Sequence, residues 1–113
     1  KQADIYEMDW RLIPAISGTE STFGKFIPYN SFNAYGWDNG TYVFSNWYDS
    51  INHITKSLHT GYISKGANTI SQIAPRYNPV TPEAWGSHVT FFMNGIENTP
   101  PFVSEVLEIS LTI

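Results

Sequence analysis

Residues 9–25 read DWRLIPAISGTESTFGK. Leu12, Ile13, Ala15, Ile16 and Thr19 return at the three- and four-residue intervals that line one face of a helix. Asp9 is placed to accept from the first unpaired N–H groups as an N-cap, and Gly24 to supply a left-handed residue at the far end. The spacing predicts a helix that ends between Glu20 and Phe23. Pro14 costs little only within a first turn, where the N–H it lacks has no partner to lose, so the helix starts at Asp9 or later.

Working outward, residues 25–45 hold Pro28, Asn30, Asn33, Gly36, Asp38, Asn39 and Gly40 among closely spaced aromatics. That mixture predicts an irregular lobe with at most a short β-hairpin about Asp38-Asn39-Gly40. Asp49 then reads as the cap of a second helix carrying Ile51, Ile54 and Leu58, closed by Gly61, with Tyr62 and Ile63 packing beyond it. A short helix is expected over residues 68–74, with Ile70 and Ile73 inward. A last one starts near Thr81 with Pro82 at its first position and sets Trp85, Val89, Phe92, Met93 and Ile96 on one stripe. After Asn98-Thr99-Pro100-Pro101 the pattern changes. Leu107, Ile109, Leu111 and Ile113 alternate with Glu108, Ser110 and Thr112, a strand-like period of two. The expected fold class is mainly α (α+β). Residues 1–98 form one helical domain, and the tail 99–113 either pairs with the lobe or leads into a further module.

A chain of 113 residues holds one domain and a compact single site. With 42% hydrophobic and only 14% charged residues it can bury a core and is too apolar for a disordered chain. The formal charge of -4 leaves no basic footprint for phosphate, which argues against nucleic acid as a partner. The absence of cysteine removes disulfides, thiolate metal sites and cysteine nucleophiles, but does not bear on secretion. No apolar run approaches the roughly 18 residues of a membrane span. The start at Lys1, with neither Met nor a signal-like apolar stretch, suggests a processed or excised piece. Asn39-Gly40-Thr41 matches a glycosylation sequon, but Asn-Gly equally marks a tight turn.

Glu20 is the first candidate for chemistry. It falls in the last turn of a core-packed helix, where the partial negative charge of the helix end and water-excluding aromatics both disfavour a carboxylate. A carboxyl that keeps its proton near neutrality suits a general acid for glycosidic cleavage. The alternative is an exposed helix-end glutamate with an ordinary pKa. A partner carboxylate would set the mechanism: about 5 Å away for a nucleophile, roughly 6.5–9.5 Å for a water-activating base. Asp38 on the expected turn is the candidate base, with turn formation as its alternative role, and Asp49 reads as a cap. Tyr29, Tyr35, Trp37 and Tyr42, interleaved with Asn30 and Asn33, suit sugar rings that stack on aromatics while amides bind hydroxyls and N-acetyl groups. Trp47 and Trp85 fall on helical stripes and are expected in the core. His53, His59 and His88 lack a metal-binding spacing and a carboxylate cluster, so neither metal nor cofactor is expected. Ser17 and Ser21 have no triad partners legible in the sequence.

The tract from Ala15 through Glu20-Ser21-Thr22-Phe23-Gly24-Lys25 resembles the Ala-x4-Glu-Ser-x-Trp/Phe-Gly-Lys segment of the glucosaminidase family of bacterial peptidoglycan hydrolases (mannosyl-glycoprotein endo-β-N-acetylglucosaminidase-like), in the lysozyme-like superfamily. Asn33-Ala34-Tyr35-Gly36-Trp37 is similar to that family's Asn-x-Phe-Gly-Ile segment. Phe44, Trp47, Ser50-Ile51, His53 and Leu58 follow its Phe…Ser-Ile-x-x-His…Leu pattern. Tyr77-Asn78-Pro79, with Trp85 and Val89, resembles its Tyr-Ala-Thr-Asp segment and the helix after it. The ordered match runs from Leu12 to Met93. It departs at Asp38, where the family has Lys or Arg, and at Pro79-Val80, where it has Thr-Asp.

The resemblance implies a lysozyme-like helical domain that hydrolyses β-1,4 bonds of an N-acetylated cell-wall glycan. Glu20 would then protonate the leaving oxygen, with Tyr77 as a phenol beside it. It implies a polysaccharide partner, peptidoglycan or a related glycan, an extracellular or cell-wall setting, and neighbouring domains of a longer chain. An N-acetylmuramidase or lytic transglycosylase on the same substrate is the alternative within the enzyme class. A glycan-binding module without catalysis is the alternative outside it.

Overall fold

A computed structural model of the chain describes residues 8–97. Within them lie α1 (Leu12–Ser21), α2 (Trp47–Gly61), α3 (Ile70–Tyr77) and α4 (Pro82–Glu97). The domain is mainly helical. Helix α4 packs along both α1 and α3, and α2 closes the core against α1. Ile16 of α1, Ile54 and Leu58 of α2 and Val89 of α4 are fully buried where these helices meet. Each such side chain contributes about 1.5–3 kcal/mol relative to exposure. The expected stripe on the last helix is realised, with Trp85, Val89 and Met93 in the core and Phe92 and Ile96 at its margin.

Helix α1 begins at Leu12, so Pro14 is its third residue and forfeits no intrahelical bond. Asp9 is not the cap. Arg11 occupies that position, and the Asp9 carboxylate accepts from Arg11 N–H at 3.0 Å and pairs with its guanidinium at 2.7 Å. The left-handed end falls on Thr22 (φ 53°), two residues before the expected Gly24. The N–H groups of Thr22 and Phe23 return to Gly18 and Ser17 carbonyls at 3.2 and 3.1 Å. This reversal lays Phe23 back over the helix: a Cβ on Gly18 would stand 2.6 Å from its ring, which also meets Phe92 edge-on at 5.0 Å.

Helix α2 starts earlier than expected because Asn46, not Asp49, is its cap. Asn46 Oδ1 accepts from Asp49 N–H at 2.8 Å, and Asp49 Oδ2 accepts from Ser45 N–H at 2.9 Å, a reciprocal pair that satisfies two free donors. The earlier start corrects the reading of Trp47. It lies in the first turn, 43% exposed and edge-on to Phe32, instead of in the core. Thr69 and Gln72 form a capping box for α3, which runs on to Tyr77 and so carries Arg76 and Tyr77 on its last turn.

The lobe between α1 and α2 is irregular, and no strand forms among the described residues. Of the two expected forms, irregular or a short hairpin, the lobe takes the irregular one. Asp38 and Asn39 do adopt the left-handed conformation of a hairpin turn (φ 53° and 54°), but the flanking chain closes on itself in a single helical turn, Trp37–Gly40. Asn33 draws it inward: its amide donates to the carbonyls of Trp37 and Tyr42 at 2.9 and 3.0 Å, while Oδ1 accepts from Trp37 N–H at 3.0 Å. Backbone groups that would form a ladder are spent on one buried side chain. The strand-like tail and the domain division at residue 98 lie outside the described residues.

Candidate functional site

Ser21 stitches the end of α1 to the lobe. Its hydroxyl donates to Ala34 carbonyl at 2.7 Å and accepts from Gly24 N–H at 2.9 Å. Two residues on from Ala34, Gly36 is thereby pressed onto the Glu20 side chain. A Cβ at Gly36 would stand 2.6 Å from Glu20 Oε2, and its φ of +63° independently favours glycine. The other carboxylate oxygen, Oε1, accepts from Trp85 Nε1–H of α4 at 2.8 Å. Glu20 thus sits half-buried, one oxygen held by an indole and the other covered by a glycine.

Burial raises the pKa of Glu20, with the Trp85 N–H pulling in the opposite direction. Tyr77 lies in the same cluster: its ring stacks on Trp85 with centroids 4.9 Å apart. Its hydroxyl donates to Tyr35 carbonyl at 2.6 Å. Burial, then the charge of Glu20, then Tyr62 and Tyr35 hold the Tyr77 phenol well above its ordinary value. It therefore stays a neutral phenol with its proton committed to a carbonyl. It has no hydrogen left to donate to a ligand.

The cluster backs onto a cleft of about 570 Å³, walled by Gly36, Trp37, Asp38 and Tyr42 of the lobe and by Tyr62, Arg76 and Tyr77 of the helical side. Glu20 stands behind Gly36 and is not itself part of the lining. Trp37 packs edge-to-face on His53 and tilts against Tyr77, and Tyr42, 38% exposed, lies against Phe44 and His53. A larger groove of about 840 Å³ runs between α3 and α4. Its one ionisable side chain is Glu83, and it holds none of the residues singled out from the sequence.

Of those residues, Glu20 and Tyr77 come together through Trp85, and Asp38, Trp37 and Tyr42 share the cleft wall. Asp38 is exposed and accepts from Thr41 Oγ1 at 2.9 Å, so its carboxylate is held at the rim. Tyr35 and Asn33 are corrected. Tyr35 is 4% exposed, its ring in the core, and faces the site only with its carbonyl, so it cannot stack on a sugar. Asn33 is 2% exposed with its amide and carbonyl spent on the lobe backbone, leaving nothing for a ligand. Tyr29 projects into solvent outside the cleft lining.

Gly36, Trp85 and Arg76 were not foreseen as site residues. Trp85 was legible in part, since a buried indole needs an acceptor for its N–H. Gly36 showed its turn propensity but not its neighbour, and Arg76 carried no signal at all. Among the described residues no group of three or more His, Asp or Glu could hold a metal ion, and no helix is long and apolar enough to cross a membrane. No protein-family model, curated protein or solved structure matches the chain.

Proposed function

We propose that the chain is a glycoside hydrolase of the endo-β-N-acetylglucosaminidase type, cleaving β-1,4 bonds of N-acetylated cell-wall glycan with Glu20 as general acid. The observation that carries this is the setting of Glu20: a carboxyl with a raised pKa, held by Trp85 directly behind Gly36, which is itself part of the wall of an aromatic-sided cleft. A raised pKa keeps such a group protonated to higher pH than an exposed carboxylate, which favours delivery of a proton to a leaving oxygen. Trp37 and Tyr42 offer ring faces for sugar C–H groups. Asp38, at the rim of the same cleft, is the candidate for activating water on the opposite face of the sugar. The neutral Tyr77 holds the back wall. An enzyme acting on this substrate works outside the cytoplasm.

Zymography on peptidoglycan tests the proposal, with Glu20→Gln as the control. Clearing by the wild type and its loss in the variant are expected, and Asp38→Asn should reduce clearing if Asp38 is the base. Binding to peptidoglycan without clearing by the wild type would overturn hydrolysis in favour of a binding module. Mass spectrometry of released fragments then separates a glucosaminidase from a muramidase or a lytic enzyme, by which sugar carries the new end and whether it is an anhydro form.

A further inference from the structure

The cleft wall carries one cation, Arg76, and one anion, Asp38. Arg76 lies on the last turn of α3 with its guanidinium carbon 4.4 Å from the centre of the Tyr62 ring. A cation–π contact of this kind, together with the helix C-terminus, holds a positive charge in place without giving its N–H donors a carboxylate. Asp38 does not supply one either. Among the described residues the ion pair within 4.0 Å is that of Arg11 with Asp9, and neither Asp38 nor Glu20 reaches Arg76. In a chain with a formal charge of -4 this is a conspicuous placement. Carboxylates are the more numerous groups, yet the arginine of the cleft is left facing the space a ligand would fill. Guanidinium donors in a fixed fork match a carboxylate in two parallel bonds, and Arg76 is exposed on the cleft wall where such a group can reach it.

We infer that Arg76 determines specificity in this cleft by taking a carboxylate borne by the bound glycan, so that the site prefers acidic N-acetylated glycans to neutral ones. The inference rests on the reading of the cleft as a glycan site. On peptidoglycan the carboxylate has two sources, the lactyl ether of the muramic sugar when no peptide is attached, or the peptide stem when the lactyl group is amidated. Tyr62 is the positioning residue, since its ring fixes where the guanidinium waits.

Calorimetric binding to the Glu20→Gln protein provides the test, because affinity is then read without turnover. Three probes of equal length are compared: a neutral β-1,4-linked N-acetylglucosamine oligomer, a peptide-free glycan with free lactyl carboxylates, and a glycan carrying peptide stems. A preference of roughly tenfold for one of the acidic probes over the neutral one is expected, from one charge-assisted contact at an exposed arginine. Adding Arg76→Gln should bring that acidic probe down to the level of the neutral one, and Arg76→Lys should restore part of the preference. The acidic probe that responds names the source of the carboxylate. Equal affinity for all three probes, or a preference that survives Arg76→Gln, overturns the role of Arg76 and leaves the glycan reading standing. Failure of all three to bind overturns both.

Discussion

Replacing Gly36 with alanine adds a single methyl group, and two separable costs follow. The first is conformational: at φ +63° an L-residue pays about 1 kcal/mol over glycine. The second is contact with the acid. The new Cβ would stand 2.6 Å from Glu20 Oε2, short of ordinary contact at 3.4 Å by about 0.8 Å. Moving the carboxylate that far takes the 2.8 Å bond from Trp85 Nε1–H to the edge of hydrogen bonding. Losing a bond to a charged group costs about 1.5–3 kcal/mol. Gly66 isolates the first cost, since it lies at φ +95° with nothing within 4 Å of an added Cβ. Gly66→Ala should therefore cost about 1 kcal/mol and Gly36→Ala about 3 kcal/mol, read from urea unfolding followed by tryptophan fluorescence. Clearing of peptidoglycan should survive the first substitution and fall steeply with the second. If the two variants unfold at the same urea concentration, Gly36 does not press on Glu20 and the account of the acid's setting is wrong.

Asn33→Ala should destabilise the domain by about 2–3 kcal/mol, because it strands the part-buried carbonyls of Trp37 and Tyr42 together with the Trp37 N–H; a loss under about 1 kcal/mol in the same urea assay would mean the lobe holds itself without this side chain. Glu20→Gln should gain on the wild type as pH rises. Burial raises the Glu20 pKa in the folded protein above the ordinary 4.5, so its stabilising contribution is complete below that value and lost as pH climbs through the folded one. Calorimetric melting from pH 4 upward should show the difference in Tm, variant minus wild type, becoming more positive; a flat difference counts against burial of the acid. Trp85→Phe removes the N–H that favours the carboxylate, so the alkaline limb of the activity profile should move up by about one pH unit, and a shift downward would contradict the geometry.

The helices were legible where a periodic apolar face met a clear terminus. On α4, Pro82 at the start and the Trp85–Val89–Met93 stripe are each local properties of the chain. The caps were harder to assign, because Asp, Asn, Ser and Thr all accept from a free N–H and several stood close together. Asn46 and Asp49 both bond across the start of α2, and the sequence does not say which lies outside the helix. The error moved the start, and Trp47 with it, from an inward to an outward position. The lobe takes the irregular form of the two the sequence leaves open. Its Asp-Asn-Gly turn has the backbone a hairpin needs, but strands also require free N–H and C=O groups on both arms, and Asn33 consumes them.

The same long-range use of lobe groups explains why the site is only half visible in the sequence. Glu20 stands on a helix whose spacing can be counted, whereas Tyr77 is singled out by the resemblance alone, beyond the helix expected over residues 68–74, and joins the site because that helix runs on to it. Tyr35 and Asn33 look like ligands by residue type, and only their burial shows that they build the wall from behind. Gly36 and Arg76 depend on contacts with residues more than ten positions away, Glu20 and Tyr62. Gly36 reaches Glu20 because Ser21, one residue along α1, is bonded to Ala34, so the end of the acid's helix and the wall of the cleft move as one piece. Breaking that bond with Ser21→Ala should loosen Gly36 from Glu20 without touching either residue, at a cost of about 1–3 kcal/mol for the stranded Ala34 carbonyl. The alkaline limb of activity should then shift as water reaches the carboxyl and lets it ionise at lower pH. A Ser21→Ala protein that is destabilised but keeps its pH profile would show that Trp85 alone holds the acid in place.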